Sequence, residues 1–121
     1  MFTERTGVGL DVHARSVAAA AIDTVTGEVI ERRLGGDYGS VVDLARRLEA
    51  GHGPLRITYE AGPTGFGLAR DLAAAGLTVQ VAAPSRLLRP AGQRVKTDRT
   101  DAMLLARLTI NDDIVAVRVP T

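Results

Sequence analysis

The chain has 121 residues, no cysteine and a formal net charge of +1. That length suits one compact domain. The missing cysteine excludes disulfides and thiolate metal sites, and a hydrophobic content of 45% excludes a disordered chain. The N-terminus shows no apolar signal segment and no apolar run is long enough to span a bilayer, so a cytoplasmic protein with no membrane partner is expected.

In chain order, "GVGLDV" (Gly7 to Val12) is a short apolar run ending in an acid and reads as a buried strand. "SVAAAAID" (Ser16 to Asp23) follows after a turn, Gly27 occupies the next turn, and "EVIERRL" (Glu28 to Leu34) alternates apolar with polar residues. Three strands joined by tight turns predict an antiparallel meander. "DYGSVVDLARRLEAG" then reads as a helix with Ser40 as cap, Asp43 in the capping-box position, and Val41, Leu44, Ala45 and Leu48 as its apolar stripe. "LRITYE" (Leu55 to Glu60) is a strand ending in an acid. "GPTGFGLARDLAAAG" turns into a second helix, with Thr64 as a candidate cap and Gly76 as its stop. "LTVQVAA" (Leu77 to Ala83) is a further strand, and Pro84 to Val95 is a loop rich in arginine. "DRTDAMLLARLTI" is a third helix with Met103, Leu104, Leu105 and Leu108 apolar, and the tail "DIVAVRVP" alternates and could be extended. The order β-β-β-α-β-α-β-α predicts an α/β protein with a mixed sheet and helices on its faces.

Four acids stand at informative places. Asp11 ends the first strand and Glu60 the fourth. If those strands are parallel neighbours, both carboxylates emerge at the carboxyl edge, where α/β proteins place their sites. Asp98 and Asp101 begin the last helix at i, i+3 spacing and so share a face. Were that helix to cross the same edge, four carboxylates would converge, and their repulsion would call for a cation. Oxygen-only donors suit Mg²⁺ or Mn²⁺, and two such ions about 3.5–4 Å apart can clamp a phosphodiester. Taken singly, three of these acids have plainer readings, while Glu60, a charge that closes an apolar strand, is less readily read as a turn signal. Thr97 or Asp98 can be a helix N-cap, Asp101 can answer the helix dipole, and Asp11 can end its strand by turn chemistry.

Around them, Arg86, Arg89, Arg94, Lys96 and Arg99 form a local basic stretch on a near-neutral chain. Such a stretch can hold a nucleic-acid backbone, or it can be a solvated loop. His13 lies two residues beyond Asp11, and Tyr59 precedes Glu60 on a strand position that favours the core. "EAGPTG" lacks the Lys-Ser/Thr ending of a phosphate loop and is assigned to turning the chain.

The segments "GLDVHARSVAAAAID", "YEAGPTGFGLARDL", "GLTVQVAAPSRLLR" and "KTDRTDAMLLARL" resemble, in the same order, the N-terminal RuvC-like catalytic domain of the DEDD transposases of bacterial insertion sequences, the RNA-guided recombinases. The resemblance implies an RNase H-like fold and a metal-binding tetrad of Asp11, Glu60, Asp98 and Asp101. It further implies Mg²⁺ (or Mn²⁺), cleavage and exchange of DNA strands, a structured guide RNA, and a homo-oligomer in the full-length protein. Members of that family carry a second, C-terminal domain with a nucleophilic serine, for which this chain has no counterpart, so residues 1–121 are expected to be the RNase H-like domain alone. Two other readings compete. "GVGLDVHARSVAAAAIDTVTGEVI" is similar to the phosphate-binding hairpin of sugar-kinase-like ATP-binding lobes, but the length leaves no room for the second lobe. A non-catalytic interaction domain that kept the fold is the other.

Overall fold

The computed structural model describes residues 1–62, 65–84 and 98–120, with residues 98–101 described as backbone only. The elements are β1 (Thr6–Val12), β2 (Ser16–Asp23), β3 (Val29–Gly35), α1 (Tyr38–His52), β4 (Leu55–Glu60), α2 (Gly67–Ala74), β5 (Thr78–Ala82), α3 (Asp98–Ile110) and β6 (Ala116–Val117). The predicted order holds, and the alternating tail adds a short strand to it. The sheet runs β3-β2-β1-β4-β5-β6. The meander β1–β2–β3 is antiparallel, whereas β1–β4 and β4–β5 are parallel and β6 returns antiparallel to β5.

Strand alternation sends side chains to two different covers. Val8 and Leu10 of β1, Val17 and Ala19 of β2, and Ile57 and Tyr59 of β4 join the large core closed by Val41, Leu44, Ala45 and Leu48 of α1 and by Leu68 and Leu72 of α2. The opposite face is built of small residues. Ala18 and Ala20 of β2 pack against Ala102 and Ala106 of α3. Gly9 lies so close beneath that helix that a Cβ there would sit 2.1 Å from the Ala102 carbonyl oxygen, and one on Gly7 would sit 2.4 Å from Ile110 Cγ2. Because Gly7 meets Ile110 while Gly9 meets Ala102, α3 runs antiparallel to β1, with its first turn toward the carboxyl end of that strand.

The start of α1 differs from expectation. Asp37, in extended conformation, caps α1 in place of Ser40, accepting from the Ser40 N–H at 3.0 Å and the Ser40 hydroxyl at 2.6 Å. A carboxylate takes both donors, and those bonds hold its pKa below the usual range. The expected α2 cap, Thr64, lies outside the described residues. The buried Tyr59 hydroxyl accepts from the Ala69 N–H at 3.0 Å and satisfies one first-turn amide of α2. Gly76, at φ +84°, stops that helix as expected.

The buried side of α3 also differs. Ala102, Leu105, Ala106 and Thr109 are buried, while Leu104 is 36% exposed and Met103 and Leu108 are half-buried. Close approach to Gly7 and Gly9 favours the alanine side of the helix, since leucines there would hold it away from the strand. Thr109 donates or accepts at 2.7 Å with the buried Thr58 hydroxyl, which also accepts from the Gln80 amide at 3.0 Å, so one polar chain ties α3 to β4 and β5.

Candidate active site

The site is set by register. Gly9 pairs with Thr58 and Leu10 with Tyr59 across the parallel β1–β4 ladder, so Asp11 and Glu60 are the next residues along each strand. Both follow the alternation of Gly7 and Gly9, and of Arg56 and Thr58, and so stand on the α3 face at the carboxyl edge. Their apolar strands fix the backbones: Val8, Leu10, Ile57 and Tyr59 are all at most 2% exposed.

Asp11 is partly buried, its side chain 15% exposed, and its Oδ2 lies 3.2 Å from His13 Nε2. The His13 backbone N–H donates to the Ser16 carbonyl at 2.9 Å, which closes the β1–β2 turn. The histidine thus belongs to the rim of the site, at 45% side-chain exposure, as a neighbour of Asp11.

Asp98 and Asp101 lie in the first helical turn of α3, four residues and one residue ahead of the Ala102 that covers Gly9. Their backbone is therefore at the Asp11 end of β1, on the face that carries Asp11 and Glu60. The side chains of Asp98, Arg99 and Asp101 are outside the description, as are Arg86, Arg89, Arg94 and Lys96 entirely. Among the described residues no group of three or more His, Cys, Asp or Glu side chains comes together as a metal site.

Sequence reasoning passed over the glycines. Gly7 and Gly9 alternate on one strand face, which is the pattern left when another backbone must come close. It also passed over the opposite edge of the sheet, where buried Asp23 receives Arg5 Nε at 3.0 Å, Arg5 Nη2 at 2.8 Å and His52 Nδ1 at 2.8 Å. The Arg5 guanidinium first, then His52 and the Val25 and Thr26 amides, hold that carboxyl far below its usual range against the opposing effect of burial. This network joins β1, β2 and α1 and is remote from Asp11, so it is a structural clamp.

With the edge and its helix placed, relatives can be compared. Residues 8–121 match the model of the DEDD transposases of IS110 elements, a family described as transposase. The chain belongs to the IS110 DEDD transposase family. Among curated relatives, the transposase y4qE of Sinorhizobium fredii is 52% identical over 62 residues, covering 51% of this chain and 16% of its own length. The transposase for insertion sequence element IS1533 of Leptospira borgpetersenii is 30% identical over 102 residues, covering 84% of this chain and 30% of its own. The chain therefore spans less than a third of the length of either relative.

Among solved structures, the large terminase nuclease of thermophilic phage G20c superposes with a TM-score of 0.59 at 16% identity, over 85% of this chain and 81% of that one. The same nuclease with bound zinc gives 0.53 at 17% identity, over 91% and 60%. At such identity the likeness shows the fold: the IS110 transposase chain is RNase H-like, as the sequence implied. Among the described residues, no helix is long and apolar enough to cross a membrane.

Proposed function

We propose that this chain is the carboxylate-bearing catalytic domain of an insertion-sequence transposase that cleaves and exchanges DNA strands with a divalent metal. One observation carries the reading. Asp11 and Glu60 end neighbouring parallel strands at adjacent register on one face, and α3 is seated so that its first turn, bearing Asp98 and Asp101, reaches the same edge.

The donor set fits Mg²⁺ or Mn²⁺: hard carboxylate oxygens on rigid strand ends and on a helix start, with no thiolate in the chain. Asp11, Glu60, Asp98 and Asp101 would hold the metal, which when bound supplies Lewis-acid stabilisation of phosphodiester oxygens. The remaining work belongs to the chain. The Gly7–Gly9 face lets the helix come close, the Thr58–Thr109 pair fixes its position along β4, and His13 lies 3.2 Å from the Asp11 carboxylate. Arg86, Arg89, Arg94, Lys96 and Arg99 would neutralise the nucleic-acid backbone. A structured guide RNA, a homo-oligomer and a bacterial cytoplasmic setting complete the proposal for the longer protein. The strand-exchange step is assigned to that longer protein rather than to these residues alone.

Calorimetric titration with Mn²⁺ and with Mg²⁺ tests it, on wild type, Asp11→Asn and Asp98→Asn/Asp101→Asn. Binding in wild type that disappears in both variants is the expected result. Equal affinity in all three would return Asp98 and Asp101 to helix capping and remove the metal site.

A further inference from the structure

The helix that carries Asp98 and Asp101 rests on a face of glycine and alanine. Gly7 and Gly9 of β1 and Ala18 and Ala20 of β2 lie beneath it, and Ala102 and Ala106 are among its own contact residues. Such a face permits close approach but offers few side chains to interlock, so shape alone resists rotation of the helix only weakly. A directional tie is needed to set that rotation, and the molecule has one on the β4 flank.

The tie is a chain of hydrogen bonds that begins in β5. Gln80 of β5 stands directly opposite Thr58 of β4, which stands opposite Gly9 of β1. The Gln80 amide donates to the Thr58 hydroxyl at 3.0 Å. The Thr58 and Thr109 hydroxyls are 2.7 Å apart, and the Thr109 hydroxyl is 2.6 Å from the Leu105 carbonyl oxygen. A carbonyl only accepts, so the one Thr109 proton goes to Leu105. The contact between the hydroxyls is then made by the Thr58 proton, and the Thr58 oxygen is left to accept from Gln80. Every bond runs one way, from β5 through β4 into α3. Both threonines are fully buried, where an unmet hydroxyl is costly, so the direction is held.

The relay bears on the carboxylate edge. Thr58 precedes Glu60 on the same face of β4, roughly 7 Å back along the strand. On α3, Thr109, Leu105 and Asp101 follow one another at four-residue intervals and so occupy one row of the helix. Pinning Thr109 to Thr58 therefore fixes the rotation of the row in which Asp101 stands two turns earlier, toward the edge where Glu60 ends β4. We propose that Gln80 is a positioning residue for the carboxylate site. Acting through Thr58 and Thr109, its amide sets the rotation of α3 and with it the place of the Asp101 backbone relative to Glu60. The inference rests on the reading of the four acids as a metal site. Loss of a group that orients metal ligands from behind weakens binding by about tenfold or more.

The test compares wild type with Gln80→Met, Thr109→Val, the double variant, Thr58→Ser, Asp11→Asn and, as a control for lost stability alone, Tyr59→Phe. On each are measured Mn²⁺ affinity by calorimetry, the electron paramagnetic resonance spectrum of bound Mn²⁺, and amide hydrogen exchange without metal. Gln80→Met should bind Mn²⁺ about tenfold more weakly, with a changed spectrum and faster exchange at residues 102–105, while α1 exchanges as in wild type. Thr58→Ser keeps the relay and should match wild type. Because Gln80 acts through Thr109, adding Gln80→Met to Thr109→Val should cost no further affinity. Tyr59→Phe should lose stability and keep its Mn²⁺ affinity. Wild-type affinity and exchange in Gln80→Met would overturn the inference, as would a full additional loss in the double variant or an equal loss of affinity in Tyr59→Phe. If wild type binds no Mn²⁺, or Asp11→Asn binds it as wild type does, the metal reading falls. Faster exchange at 102–105 in Gln80→Met then still shows that Gln80 holds α3, and unchanged exchange overturns that as well.

Discussion

Gly9 of β1 and Ala102 of α3 meet with no space for a side chain between them, since a Cβ on the glycine would come 2.1 Å from the Ala102 carbonyl oxygen and 2.6 Å from the Ala106 nitrogen. Both obstacles are helix backbone, so a substitution there is relieved by moving α3 as a body. Gly9→Ala should therefore cost about 2–4 kcal/mol in urea denaturation and should weaken Mn²⁺ binding in the protein that remains folded. Gly27→Ala provides the contrast: that glycine has open space around it but φ +78°, so its effect should be confined to stability, at about 1 kcal/mol.

The second device that places α3 is the buried hydroxyl pair Thr58–Thr109, at 2.7 Å, in which Thr109 also reaches the Leu105 carbonyl at 2.6 Å. Thr109→Val keeps the shape and leaves the Thr58 hydroxyl with one partner fewer in a buried setting. Unfolding should become easier by about 1–2 kcal/mol, and Thr109→Ser should recover most of the loss. Denaturation midpoints of the two variants decide this.

Tyr59 serves two elements at once, with its ring in the core and its hydroxyl on the Ala69 amide. Burial, set against that hydrogen bond, pushes its pKa above the usual phenol value. Tyr59→Phe should lower stability by about 1 kcal/mol and speed hydrogen exchange in the first turn of α2, with the rest of the molecule unaffected. Uniformly faster exchange would mean that the hydroxyl supports the whole core instead of one helix start.

Asp23 gives the fold its acid sensitivity. Its carboxyl titrates well below the ordinary range because Arg5 and His52 hold the ionised form. A depressed folded pKa contributes stability that is fully present above the unfolded value of about 4 and is lost as pH falls toward the folded value. Wild-type stability should thus decline from about pH 4 downward, and Asp23→Asn should be less stable at neutral pH with a shallower decline in acid. Thermal melts across that range, wild type against variant, supply the measurement.

The strand and helix order was legible because each element announces itself locally: "SVAAAAID" and "LRITYE" became β2 and β4 at the residues expected, and "DRTDAMLLARLTI" became α3. What the sequence concealed was the side on which α3 docks. Leucines at 104 and 108 outweigh alanines on any hydropathy pattern, yet Ala102 and Ala106 are buried, because contact distance against a glycine strand overrides side-chain size. The α1 cap was misplaced for a similar reason: Ser40 is a good cap alone, but Asp37 offers an acceptor for both of its donors. Of the expected site, the placement of Asp11 and Glu60 at one edge of the sheet was legible from strand ends alone, since register follows from apolar patterning on buried strands.

Asp11 is the residue at which stability and function should part. It lies partly buried beside Glu60 on a rigid edge, with the first turn of an acid-bearing helix at the same end of the strand. On the proposed reading, like charges at that edge oppose the folded state in the absence of metal. Replacing one carboxylate by its amide removes a charge and keeps the shape. Asp11→Asn should accordingly raise Tm by a degree or two in chelator, about 0.5 kcal/mol, and should abolish the further rise that Mn²⁺ gives wild type through binding the folded state alone. Glu60→Gln should behave the same way. Melts of the three proteins with chelator and with Mn²⁺ check both effects, and a lower Tm in both variants together with an intact Mn²⁺ response would show that these acids stabilise the fold instead of serving the site.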